Sequence, residues 1–140
     1  MAARPLDPHT LQRIDAVRDV LLACAPSAEV AEKTLFGGYA FMVNGKLCLG
    51  VGEDELLCRI HPEQHDAALE RPGTREMRHG QRVMRGYVFV EWASLQTKAQ
   101  FQTWIEQALA YNPLAKAAPR RRARQQAGEQ ARQQAKRPRT

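Results

Sequence analysis

No stretch of the sequence approaches the ~18–20 consecutive apolar residues that span a bilayer, which excludes a protein crossing the membrane by helices. The first residues, Met1–Asp7, lack the apolar core of a signal peptide. Cysteine is scarce: Cys24, Cys48 and Cys58 are too few and too scattered for a disulfide scaffold. A reducing cytoplasm is therefore the expected compartment. No GxxxxGK[ST] phosphate loop, no paired carboxylates and no Ser/His/Asp or Cys/His/orienter set is visible. The expectation is a protein that is not an enzyme and uses no cofactor and no metal.

What is present is one domain's worth of chain with its charge unevenly distributed. The 140 residues carry a formal charge of +6 and a pI of about 9.7. Residues 1–115 hold 12 Lys/Arg against 14 Asp/Glu, whereas residues 116–140 hold nine Lys/Arg against the single acid Glu129. The second segment contains no Leu, Ile, Val, Phe, Tyr, Trp or Met. It cannot bury enough apolar surface to offset the ~1–2 kcal/mol per residue of backbone ordering, so disorder in isolation is expected. The expected organisation is an α+β domain over 1–115 and a basic tail over 116–140. In the tail, Arg120, Arg121, Arg122, Arg124, Arg132, Lys136, Arg137 and Arg139 are candidates for salt-dependent, sequence-independent nucleic-acid binding.

Hydrophobic periodicity orders the domain. Asp7-Pro8 is an N-cap followed by Pro at the first helical position. Leu11, Ile14, Val17 and Leu21 then recur at helical spacing, which predicts a helix from about Pro8 to Cys24. Tyr39–Val43 predicts a strand entered through a bend at Phe36-Gly37-Gly38. Asn44-Gly45 predicts a tight hairpin into Leu47–Val51. Leu56–Ile60 predicts a third antiparallel run, and Pro62–Leu69 a short helix. Arg75–His79 and Met84–Glu91 predict two strands joined around Gly80. Ser94 or Thr97 caps a last helix, whose apolar stripe is Leu95, Phe101, Trp104, Ile105, Ala108 and Leu109. Segregated helices and tightly turned strands predict an α+β class with an antiparallel sheet.

The stretch from Leu35 to Ile60 resembles the signature of the TfoX N-terminal domain family. Phe36-Gly37-Gly38, Phe41, Gly45-Lys46 and the acidic turn at Asp54 ahead of Leu56–Arg59 carry the resemblance. Met84–Val90 leading into a closing helix extends it to roughly residues 11–112. Leu35 stands where the family usually has Met, a volume-conserving change. The resemblance implies a two-layer, secretion-chaperone-like fold in the order helix, strands, helix, two strands, helix. It also implies a non-enzymatic regulatory role. The namesake TfoX/Sxy regulators act in DNA-uptake competence, alongside the cyclic-AMP receptor protein at its promoters. Those regulators carry a second, helical domain, where this sequence continues into the basic tail.

Three groups of residues carry candidate chemistry. Cys58, His61 and His65 have spacings that a metal could use. If Leu49 opposes Cys58 across a hairpin, however, alternation turns Cys48 to the other face, and Cys58 becomes a small core hydrophobe. Arg75, Arg78, Arg82, Arg85 and His79 crowd one hairpin beside Tyr87 and Phe89, as a single-strand nucleic-acid surface would, or as a solvated hairpin partly neutralised by Glu76 and Glu91. The strands Tyr39–Val43 and Tyr87–Val90 are apolar on both faces. Helices of a two-layer fold cover one face, which leaves Tyr39, Met42, Tyr87 and Phe89 as the candidate interaction face for a protein partner or a homodimer.

Overall fold

A computed structural model describes residues 7–35 and 38–116 of the chain. The element order is α1 (Pro8–Cys24), β1 (Val30–Leu35), β2 (Gly38–Val43), β3 (Lys46–Val51), β4 (Glu55–Arg59), α2 (His65–Ala68), β5 (Thr74–His79), β6 (Arg82–Glu91) and α3 (Lys98–Tyr111). The six strands form one antiparallel sheet in the order β1-β2-β3-β4-β6-β5. The expected α+β class and element order are those observed, with one strand more than the sequence pattern suggests. Among the described residues no helix is long and apolar enough to cross a membrane.

The helix starts follow from their caps. Asp7 Oδ1 accepts from the Thr10 N–H at 3.0 Å, satisfying an amide that the first turn leaves open. Thr97, not Ser94, caps α3, through a full capping box with Gln100. Ser94 belongs to the preceding 3-10 turn, Trp92–Ser94. The buried stripe of α1 is Thr10, Ile14, Val17 and Leu21, while Leu11 is 49% exposed. Thr10 takes the inward position in place of Leu11 because its hydroxyl is satisfied by Asp7 Oδ2 at 2.9 Å.

All three helices pack on one face of the sheet. Ile14, Val17 and Leu21 of α1 and Trp104, Ile105 and Ala108 of α3 meet Phe41, Val43, Leu49, Val51, Leu56, Cys58, Val88 and Val90. Each of these strand residues is buried, and alternation turns their neighbours outward. Strand β1 escapes the pattern of a half-buried strand because its inward residue Glu32 is charged. Arg18 of α1 neutralises that charge, with Nε to Oε2 at 2.8 Å and Nη2 to Oε1 at 2.6 Å, and the Tyr39 hydroxyl donates to Oε1 at 3.0 Å. The Arg18 bonds hold the Glu32 carboxyl below the ordinary carboxylate range.

Strand β6 is kinked at Gly86. Glu76 pairs with Val88 while Met77 pairs with Met84, so Arg85, Gly86 and Tyr87 are extra on β6. Gly86 has φ +90°, its N–H donates to His65 Nδ1 at 2.9 Å, and its carbonyl accepts from Ile60 N–H at 2.7 Å. A Cβ there would lie 2.6 Å from the Ile60 oxygen. Gly45 and Gly80 also have positive φ, but a Cβ at either meets nothing within 4 Å. Gly86→Ala is therefore expected to lower unfolding free energy by more than ~2 kcal/mol, against roughly 1 kcal/mol for Gly45→Ala or Gly80→Ala. Urea denaturation of the three variants checks this; equal losses would remove the kink as a constraint.

Candidate interaction face

The face turned away from the helices is assembled by the cross-strand pairs Met42–Leu47, Ala40–Gly50, Gly50–Leu57, Leu57–Phe89 and Arg59–Tyr87. Ala40 and Gly50 are adjacent small residues on neighbouring strands. Around them stand the larger Leu35, Leu47, Leu57, Met77 and Phe89, and the result is an open depression of about 330 Å³ in the sheet surface. A Cβ on Gly50 would already lie 3.3 Å from the Leu57 Cβ, so the floor depends on glycine at that place. The turn Gly52–Glu55 closes one end, where Glu53 and Asp54 are exposed and form no ion pair with any described residue.

Two arginines lie over the aromatics of this face. The Arg75 guanidinium is 4.3 Å from the Phe89 ring centroid and pairs with Glu55, which itself faces Glu91 across the strands. The Arg59 guanidinium is 5.2 Å from the Tyr87 ring, and its Nη2 donates to the Lys116 carbonyl at 3.0 Å. The face is thus apolar at its centre and charged of both signs at its margins.

The structure brings Met42, Tyr87 and Phe89 to this face. Tyr39 lines the depression, with its carbonyl oxygen beside Gly50, but its ring is turned away from this face. Tyr39 and Met42 are three residues apart on one strand and point to opposite sides, and the Tyr39 ring packs edge-on to Phe41 at 5.7 Å beneath α1. Of the residues carrying the family resemblance, Phe41 is fully buried. Gly45 forms the hairpin turn with Asn44, at φ +81° and +51°. Lys46 Nζ donates to the Asn112 carbonyl at 3.0 Å, tying the hairpin to the end of α3. Gly38 is pressed so close to β3 that a Cβ would lie 2.8 Å from the Val51 oxygen. Phe36 and Gly37 lie outside the described residues, as do Arg120, Arg121, Arg122, Arg124, Arg132, Lys136, Arg137 and Arg139.

The basic hairpin is not a surface of one sign. Arg75 pairs with Glu55, Arg78 with Glu76 at 2.7 Å, and Arg85 with Asp66 at 3.4 Å. Glu91 neutralises none of them. His65 is not on the polar flank of a helix: it is 1% exposed and holds the Gly86 kink from below. Because Nδ1 accepts a backbone N–H, the neutral ring carries its proton on Nε2, which stands 3.6 Å from Glu76. A polar residue that closes a kink 21 positions away leaves no periodic trace in the sequence.

Cys48 also differs from expectation. Leu49 does oppose Cys58, but Phe41 pairs with Leu49 and Met42 with Leu47, so Cys48 is an extra residue in a bulge. The bulge turns Cys48 inward beside Leu49, and both Cys48 and Cys58 are buried. Burial pushes the Cys48 thiol up to about 12 and raises Cys58 as well. Thiols held protonated are poor nucleophiles and poor metal ligands. Among the described residues no group of three His, Cys, Asp or Glu is placed to hold a metal ion. With a disulfide-exchange reagent at neutral pH, Cys24 is expected to react in the native protein, and Cys48 and Cys58 only after denaturation. Three thiols reacting at native rates would contradict the burial.

No curated protein and no solved structure matches the chain. The model of the TfoX N-terminal domain matches residues 22–111. It opens near the end of α1, later than residue 11, and runs through the sheet to the last residue of α3. It takes in the hairpin at Asn44-Gly45, the small-residue floor of the depression and the Gly86 kink, and on that span the chain belongs to the TfoX N-terminal domain family.

Proposed function

We propose that the chain is a non-enzymatic regulatory domain, active in the cytoplasm in transcription or competence-related control, that works by binding a protein partner. The domain is residues 1–115, and 116–140 is a basic extension. Membership of the TfoX N-terminal domain family supports a regulatory role. The single observation that carries the protein-binding reading is the depression on the uncovered sheet face, apolar at its floor and bordered by Glu53 and Asp54. The occupant that fits is an extended partner segment with one or two apolar side chains next to a basic residue. Apolar side chains supply burial, and the basic residue meets the free carboxylates. A second copy of this chain is the other outcome of the same test.

Leu57→Glu puts a charge at the centre of the face without touching the helix-covered core. It is expected to abolish co-purification of the partner while circular dichroism and the unfolding midpoint change little. Retained partner binding would move the site elsewhere. A concentration-dependent rise in mass by light scattering that Leu57→Glu removes would identify a homodimer instead.

The tail supports a second reading, nucleic-acid binding by an accessory protein. Its eight basic residues from Arg120 to Arg139 can neutralise several phosphates, whereas three of the four arginines on the β5–β6 hairpin already face carboxylates. Deleting residues 116–140 is expected to abolish low-salt binding to DNA or RNA. Affinity that survives the deletion would assign it to the domain.

A further inference from the structure

A second, smaller depression lies on a different side of the molecule, between the turn after α2, the Trp92–Ser94 turn and the first turns of α3. Its volume is about 230 Å³. Gly73, at φ +75°, lets the turn approach so closely that a Cβ would collide with the Ser94 side chain. Arg71 forms one wall. Its guanidinium carbon is 3.5 Å from the Trp104 ring centroid, and Nη1 donates to Gln107 Oε1 at 2.7 Å. The side chain is therefore held on two sides.

Arg71 differs from Arg18, Arg75, Arg78 and Arg85, each of which faces a carboxylate. It is half-buried, and among the described residues no carboxylate lies within 4 Å of it. Its Nε and Nη2 donors meet no acceptor there. Burial lowers its affinity for its own proton, the sign of an incompletely compensated cation. The other polar groups of the wall sort clearly. Ser94 Oγ donates to the Glu91 carbonyl at 2.8 Å and Thr103 Oγ1 to the Ala99 carbonyl at 2.8 Å, so both hydroxyl protons are committed. Gln100 Oε1 accepts the Gln96 and Thr97 amides, which leaves its Nε2 as a free donor. None of the lining residues is acidic, and Pro72, Leu95, Ala99 and Trp104 make the remainder apolar.

We propose that this depression binds a carboxylate carried on a short apolar body, with Arg71 and Gln100 as its donors. A planar guanidinium with two donors left free matches the two oxygens of a carboxylate. The apolar wall accepts the body of the ligand and excludes water from the ion pair. Two sources offer this chemistry: the C-terminus of a peptide ending in an aliphatic residue, and a free aliphatic acid. Recognition here is independent of the open sheet face, and either can fail without the other.

The test is a tryptophan-fluorescence titration of the full chain, since Arg71 lies on the Trp104 ring. Three probes are compared: isovalerate, acetyl-Gly-Leu with a free C-terminus, and the same dipeptide amidated. A saturable change with the free dipeptide and not with the amide identifies a C-terminal carboxylate. An equal response to isovalerate identifies a small-acid site. Arg71→Lys, which keeps the charge and loses the fork, is expected to weaken binding about tenfold. Ala99→Phe, at an exposed position, fills the depression with Arg71 intact and adds no tryptophan to the signal, and is expected to abolish binding. No saturable response to either carboxylate, or responses unchanged by both substitutions, would overturn the proposal.

Discussion

A sheet six strands wide presents two large faces, and the described residues supply helices for only one of them. That constraint governs the rest of the structure. The helix-covered face carries the fully buried side chains, from Phe41 on β2 to Val90 on β6. The other face is apolar as well, because β2, β3, β4 and β6 lie within the sheet and carry Met42, Leu47, Leu57, Tyr87 and Phe89 outward. An antiparallel sheet with one solvated face ordinarily alternates apolar and polar residues along each strand. Here that alternation is weak at the centre and restored only at the margins, by Arg59, Arg75 and Glu55. An apolar surface of this kind is what the proposed protein-binding function requires.

Where local rules decide the outcome, the structure is legible in the sequence. Asp7-Pro8 starts α1, Asn44-Gly45 turns the first hairpin, and Thr97 with Gln100 starts α3, each through bonds within three or four residues. Where a distant partner decides, it is not. Strand β1 is hidden because Glu32 occupies an inward position, which Arg18, fourteen residues back on α1, and the Tyr39 hydroxyl make tolerable. Cys48 faces the core because a bulge shifts the register by one residue, which reverses a side predicted from strict alternation. His65 looks like a polar helix residue until the Gly86 amide is found on its Nδ1. Tyr39, grouped by composition with Met42, is separated from it by the parity of the strand. Met42, Tyr87 and Phe89 lie on the open side of the sheet, and the depression there, made by the Ala40–Gly50 pair, could be seen only once the register was known.

Charge follows the same division between local composition and tertiary placement. The basic pI belongs to residues 116–140, while the described domain carries its arginines largely as neutralised or stacked groups. Arginine on an aromatic face contributes packing as well as charge. Arg59 on Tyr87 and Arg75 on Phe89 frame the open face, and Arg71 on Trp104 does the same service on another side of the molecule, there without a carboxylate. A net charge computed over the whole chain reveals none of this.

The proposed function puts partner binding on the uncovered sheet face. Site-specific photo-crosslinking in the native cell tests it most directly, with the reactive group placed in turn at Leu57 on the open face and at the exposed Leu22 on α1. A discrete adduct, with a partner or with a second copy of the chain, is expected from position 57 and none from position 22. Adducts equal from both positions, or found only from the helix, would contradict it.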